Sequence, residues 1–451
     1  MLRFILRHCG ICHDTPRSSG FARLASGPFL RSRLDRPECW LITDGLLMMH
    51  TRIDEMKTEE IMSLSEKYIM NTYKRFPLVL VRGSGAWVWD SNGKKYLDMA
   101  AGIAVCSLGH AHPKVVAAIQ KQAETLIHVS NLYHIEPQIH FARLLVEHSF
   151  AEKVFFCNSG AEANEAAIKL ARKYGHEQLG GKYELITMKD SFHGRTLATI
   201  TATGQEKFQI GFAPLPEGFK YVPFNDLSAL EAAITDKTCG VLLEPIQGEG
   251  GVKIPDDGYL QGVRKICDRH GILMMLDEVQ VGVGRTGTLF AYEQSGVKPD
   301  IMTLAKALGN GFPVGAMLTT DRIAAAFQPG NHASTFGGNP LAMAACVAVL
   351  ESFLEEGVLE NCKRIGSYFL DRLFDLQKKH SPIREVRGKG LIIGVELTLD
   401  AAEIVRKCME RGMLVITSGA GNVLRFVPPL IITEADVDHA VHILDEVLKQ
   451  S

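Results

Sequence analysis

The run Gly271-Ile-Leu-Met-Met-Leu-Asp277-Glu278-Val279-Gln280 decides the fold class. Five apolar residues lie between a glycine and two acids, too short a run for a buried helix but right for a strand buried on both faces. Similar short runs recur: Val154–Cys157, Glu184–Met188, Gly240–Leu243 and Ile301–Leu304. Polar or glycine-rich turns bound each, and helical stretches such as Ala161–Tyr174 alternate with them. Strands alternating with helices predict an α/β sheet, mostly parallel. After about residue 340 the pattern changes to long helices (Pro340–Leu354, Leu359–Lys379), two strands (Leu391–Leu397, Val423–Val427) and a closing helix from Glu434. That is the pattern of a smaller α+β domain. The expected layout is 56–110 as an N-terminal segment with a hairpin around Asp90–Gly93 that packs with the small domain, 111–335 as the large domain, and 336–451 as the small one.

Composition narrows the function classes. The chain has 451 residues, 46% apolar and 22% charged, with a formal net charge of −2. No bulk field recruits nucleic acid or an anionic membrane, and no apolar run approaches the roughly 18 residues that span a bilayer. Ten scattered cysteines form no disulfide framework, so buried thiols in a reducing compartment are expected. Residues 1–55 are set aside as an extension. Positions 1–40 hold seven Arg, no Lys and three acids, a composition resembling an organellar transit peptide. No amphipathic helix runs through them, and Met48, Met49 and Met56 offer later starts. An over-long start and a cytoplasmic protein are therefore expected, with an organellar matrix as the alternative. Cys9-Gly-Ile-Cys12-His13 matches the haem c attachment pattern, but no apolar export signal accompanies it, and the match is read as chance.

Several residues stand where chemistry is done. Asp277 leaves a buried strand at its carboxyl end, where open α/β sheets bind ligands. It either pairs with a cation or caps the next turn, and position alone does not separate the two. Lys306 ends the run Asp300-Ile-Met-Thr-Leu-Ala-Lys306. It either reaches solvent or carries a lowered pKa, the property of a Schiff-base lysine. Asn158-Ser159-Gly160-Ala161 opens a helix whose free N–H groups suit an anion, although Ser159 also fits as a plain N-cap. In Phe192-His-Gly-Arg195 the aromatic can stack on a flat ring and the arginine can hold a carboxylate; a core Phe and a surface Arg are the alternative. Gly282-Val-Gly-Arg-Thr-Gly287 matches a dinucleotide fingerprint in letters only, since no helix and ribose-binding acid follow it. His110 and His112, two apart with no further ligands, make a poor zinc site, and no metal is expected.

Together these segments resemble the class III pyridoxal-phosphate (PLP) aminotransferases. Thr303-Leu-Ala-Lys306-Ala-Leu-Gly-Asn-Gly-Phe-Pro-Val-Gly-Ala316 looks like that family's cofactor-lysine region, and Leu276–Gln280 with Gly284–Gly287 looks like its second signature. Glu244-Pro-Ile-Gln-Gly-Glu249, Asn158–Asn164 and Ser334-Thr335-Phe336-Gly-Gly-Asn339 follow the family's pattern. The likeness runs from about Asn71 to the C-terminus. It implies fold type I, with a mostly parallel seven-stranded sheet in the large domain, and a homodimer with shared active sites.

The resemblance also implies residue roles. Lys306 carries pyridoxal 5'-phosphate and then shuttles the substrate proton, and Asp277 pairs with the ring nitrogen. Phe192 and Val279 cover the two ring faces, and Gln280 bonds the phenolic oxygen. Ser159, Gly160 and Ala161 bind phosphate, Glu278 is counted among the cofactor contacts, and Thr335 reaches the neighbouring subunit's phosphate. Arg195 and Arg425 bind carboxylates, Glu249 is a switch that covers Arg425 for one substrate and frees it for the other, and Ser334 and Tyr73 line the substrate pocket. Asn71–Pro77 and Phe192–Thr196 are similar to the branch that moves the δ-amino group of N-acetylornithine to 2-oxoglutarate. Ile103 stands where ornithine-specific members carry Tyr. Another ω-amino donor (4-aminobutyrate, ornithine, succinylornithine or a lysine-pathway compound) is the alternative.

Overall fold

The computed structural model describes residues 56–450. Three sheets organise them. The first begins with β1 (Leu80–Ser84), β2 (Trp87–Asp90) and β3 (Lys95–Asp98). The central sheet holds β4 (Lys153–Cys157), β5 (Glu184–Met188), β6 (Phe219–Val222), β7 (Thr238–Leu243), β8 (Leu273–Asp277), β9 (Ile301–Leu304) and β10 (Gly315–Thr319). The third holds β11 (Ile383–Lys389), β12 (Ile392–Leu397), β14 (Ile416–Ser418) and β15 (Val423–Phe426), while β13 (Met413–Leu414) closes the first sheet.

The central sheet has seven strands in the order β4-β10-β9-β8-β7-β5-β6. All neighbours are parallel except β10, which runs antiparallel to both β4 and β9. This is the α/β, mostly parallel sheet the sequence predicts. The third sheet is antiparallel throughout. The N-terminal hairpin joins the C-terminal part of the chain through β3, which pairs with β13 in parallel register, Met413 opposite Leu97.

The strands are apolar on both faces because both faces are covered, and the period of two assigns each side chain. Leu185, Leu242, Met275, Ile301 and Met317 pack with Ala166, Ala167, Leu170 and Tyr174 of the helix Gly160–Gln178. Their neighbours Ile186, Val241, Met274, Leu276, Met302 and Leu318 point the other way, into the larger core shared with the C-terminal helices. By that alternation Asp277 on β8 and Thr303 on β9 belong to the face covered by the helix Gly160–Gln178. This places the site. Among the described residues no helix is long and apolar enough to cross a membrane.

The long helices read from the sequence are present as Pro340–Glu355 and Val358–Lys379, and the closing helix is Glu434–Leu448. The Cys9–His13 pattern and the rest of 1–55 lie outside the described residues.

Candidate active site

At the carboxyl ends of β4, β8 and β9 lies a cavity of about 380 Å³. Asp277 and Lys306 both face it, with Ser159, Gly160, Ala161, Phe192, Arg195, Val279 and Gln280. Most of the predicted cofactor set, drawn from segments far apart in sequence, therefore meets in one place.

Asp277 is 3% exposed. Its Oδ2 accepts from Asn164 Nδ2 at 2.7 Å and from His193 Nδ1 at 2.8 Å, and its Oδ1 accepts from Val279 N at 3.0 Å. Asn164 comes from the covering helix, and its own Oδ1 accepts from Thr303 Oγ1 at 2.7 Å. The strand alternation thus delivers Asp277 and Thr303 to the helix that carries their partner. Asn164 and His193 lay inside quoted motifs without a role. Their function depends on a contact with Asp277 across 113 and 84 positions, which no local pattern reveals.

Lys306 follows β9 with a left-handed φ of 46°, a conformation that costs a non-glycine residue about 1 kcal/mol or more and that collects at functional sites. The residue is half-buried and lines the cavity. Burial is the main cause that pushes its pKa down to about 8; Arg425 adds to this, while Asp277, Glu249 and Glu244 pull the other way. Glu244, also on the cavity wall, is pushed up to about 7 by its burial. Its carboxylate accepts from Phe192 N at 2.9 Å and Gly248 N at 3.2 Å, tying the aromatic's loop to the loop that carries Glu249.

Ser159 is the N-cap of the helix Gly160–Gln178 and accepts from Glu162 N at 3.2 Å. The cap does not use up the turn, because the first N–H groups of a helix have no partner inside it and remain suited to an anion. Gly160 also has to be glycine: a Cβ there would sit 2.7 and 2.9 Å from the two methyls of Val279. Phe192 is half-buried. Arg195 is exposed, with its guanidinium 3.9 Å from the centre of the Phe208 ring and 5.4 Å from that of Phe192.

Arg425 on β15 is 2% exposed. Its Nη1 pairs with Glu249 Oε2 at 2.7 Å and donates to Gln280 Oε1 at 3.0 Å. Ser334 joins the site indirectly, its Oγ accepting from Asn158 Nδ2 at 3.2 Å.

Three expected residues lie elsewhere. Glu278 faces away: its carboxylate accepts from Ala291 N at 2.6 Å and Tyr292 N at 2.8 Å, on the opposite side of β8 from Asp277. It caps a short helical turn, and burial pushes its pKa up to about 8. Thr335 is exposed and borders a separate cleft with Leu132 and Phe156. Tyr73 is 71% exposed and does not line the cavity. Ile103 too is exposed; Val105, two residues on, reaches the cavity wall. His110 is engaged by Asp98 at 2.8 Å and His112 by Glu356 at 3.3 Å.

The donor set fits a flat, anionic, carbonyl-bearing cofactor. An amine with a depressed pKa, a buried carboxylate with an oxygen on the cavity, an aromatic ring and helix N–H groups converge in a space of ligand size. The class III aminotransferase model matches residues 68–448. The chain belongs to the class III aminotransferases. Enzymes of this family depend on pyridoxal phosphate. The chain is 58% identical over 392 residues to the acetylornithine aminotransferase of Caldanaerobacter subterraneus, covering 86% of this chain and 99% of the relative. Among solved structures it resembles the N-acetylornithine aminotransferase of Stenotrophomonas maltophilia, at 41% identity and a TM-score of 0.74, covering 86% and 98% of the two chains. It also resembles an ornithine aminotransferase from Toxoplasma gondii whose active site is partly occupied by PLP, at 34% identity and a TM-score of 0.85, covering 87% and 94%.

Proposed function

We propose that this enzyme moves the δ-amino group of N-acetylornithine to 2-oxoglutarate, giving N-acetylglutamate 5-semialdehyde and glutamate. The observation that carries this reading is the pair Arg425–Glu249, 2.7 Å apart, on the flank of the site that holds Lys306. A buried arginine is costly without a carboxylate partner. Glu249, 32% exposed, supplies one that has room to leave. Paired, the arginine presents a neutral wall to a donor's aliphatic chain. Freed, it binds the second carboxylate of a dicarboxylic acceptor. The 58% identity to an acetylornithine aminotransferase and the apolar Ile103 support N-acetylornithine as donor.

When bound, pyridoxal phosphate supplies an aldehyde that takes up the amino group and a ring that accepts the electron pair left on the substrate carbon. Asp277 keeps a proton on the ring nitrogen. Ser159 and the N–H groups of Gly160 and Ala161 hold the phosphate. Phe192 and Val279 grip the ring faces, and Gln280 orients the phenolic oxygen. Lys306, whose amine gives up its proton more readily than an ordinary lysine, removes a proton from the substrate carbon and returns it one position away. Arg195 holds the carboxylate of either substrate, and Ser334 borders the substrate. Thr335 binds the phosphate in a neighbouring protomer, which makes the working unit a homodimer. A cytoplasmic location goes with this reading.

The decisive experiment is a donor panel scored by kcat/KM: N-acetylornithine, succinylornithine, ornithine and 4-aminobutyrate, each with 2-oxoglutarate. N-acetylornithine should lead, and should bleach a visible absorbance band that 2-oxoglutarate restores. The Lys306→Ala enzyme should lose about two to four orders of magnitude in rate, the scale of a lost acid–base group. A panel led by ornithine or 4-aminobutyrate rejects the substrate. Wild-type turnover without Lys306 rejects the mechanism.

A further inference from the structure

Asp277 is held from behind by a residue that none of the steps above employs. The His193 ring is buried, and its Nδ1 lies 2.8 Å from Asp277 Oδ2. A carboxylate only accepts, so Nδ1 is the donor. Nε2 is buried and meets no partner among the described residues. Glu244, another buried acid here, is turned to main-chain donors instead, accepting from Phe192 N and Gly248 N. The main chain of His193 is fixed on both sides as well: its N donates to Thr203 Oγ1 at 2.9 Å, and its O accepts from Asn164 Nδ2 at 2.8 Å. The same Asn164 Nδ2 donates to Asp277 Oδ2 at 2.7 Å. Two donors therefore converge on one carboxylate oxygen, from residues that also hold each other.

We propose that His193 is a positioning residue for Asp277. Its Nδ1–H, with Asn164, occupies Oδ2, stops the carboxylate rotating, and turns Oδ1 toward the cofactor's ring nitrogen. This rests on the reading of Asp277 given above.

Two amide substitutions separate this role from simple packing. An asparagine amide nitrogen overlays Nδ1 and can still reach Asp277, whereas a glutamine amide overlays Nε2 and points away. The readout is the rate at which each holoenzyme loses its visible absorbance during dialysis, with thermal unfolding measured beside it. The His193→Gln enzyme should release cofactor about 10- to 100-fold faster than wild type, the scale of one lost hydrogen bond to a charged group. The His193→Asn enzyme should stay within about 3-fold of wild type, because it keeps that bond. Equal release from the two variants, or wild-type retention by His193→Gln, overturns the proposal. If His193→Gln does not fold, His193→Asn decides alone: retention supports the role and fast release rejects it. A wild-type enzyme with no visible band instead overturns the reading of Asp277 and Lys306 themselves.

Discussion

At the scale of single residues, the site is built from groups placed where their ordinary chemistry is altered. Lys306 is the clearest case. An exposed lysine amine is almost wholly protonated at neutral pH, but burial first and Arg425 second bring this one down to about 8. The direction has a kinetic consequence. Only the neutral amine attacks an aldehyde, so capture of added pyridoxal phosphate by the cofactor-free enzyme should speed up about tenfold per pH unit below 8 and level off above it. Stopped-flow absorbance from pH 6 to 10 tests this, and a rate still climbing past pH 9 contradicts the assignment. The same shift acts on stability. The folded state resists protonating this amine, so the stabilisation present above the unfolded pKa is lost as pH falls through about 8. Position in the sequence left such a lysine open but favoured a solvent-exposed one, because desolvation is a property of the assembled cavity. Glu278 shows the converse: it sits beside Asp277 in the chain, yet the two carboxylates emerge on opposite sides of β8.

At the scale of elements, the start of the helix Gly160–Gln178 joins three tasks in one turn: the cap by Ser159, the open N–H groups, and the close approach of Val279. Gly160→Ala adds a methyl that would meet both Val279 methyls below 3 Å. Overpacking of this kind costs about 1–3 kcal/mol. The variant should therefore melt several degrees lower and bind cofactor more weakly, and Val279→Ala in the same chain should restore most of both losses. No recovery in the double variant, by calorimetry and cofactor titration, would mean that the crowding lies elsewhere. Elements were legible in the sequence where a short, mostly apolar run stood between polar or glycine-rich turns, as in β5, β8 and β9. β10 escaped because Gly315–Thr319 follows Gly311-Phe-Pro so closely that it reads as part of the turn after Lys306. β11 escaped because Ile383–Lys389 leaves charged residues exposed and has no apolar run at all. Pairing rather than composition makes them strands: β11 folds back on β12 across Gly390-Leu391, and β10 sits between β4 and β9.

At the scale of the whole molecule, one chain leaves part of its predicted site unused. Thr335 and Tyr73 are exposed, away from the cavity. Thr335 stands beside Phe336, 60% exposed, whose ring lies 5.3 Å from that of His128, and Leu132 and Tyr133 nearby are 85% and 68% exposed. Exposed apolar residues gathered in this way mark a surface that another chain covers. If that chain is a second copy related by two-fold symmetry, each protomer lends Thr335 to the other's phosphate site. Mixing two dead variants tests this directly. Lys306→Ala removes the amine, and Thr335→Asp sets a carboxylate against the phosphate, so each homodimer should be inactive. In a mixed dimer, the protomer with intact Lys306 receives an intact Thr335 from its partner, and that site should work. Co-expression of two differently tagged chains, purified through both tags, should therefore recover activity that neither parent has. If Thr335 serves only its own protomer, every site in the mixture carries a lesion, and the doubly purified enzyme stays inactive.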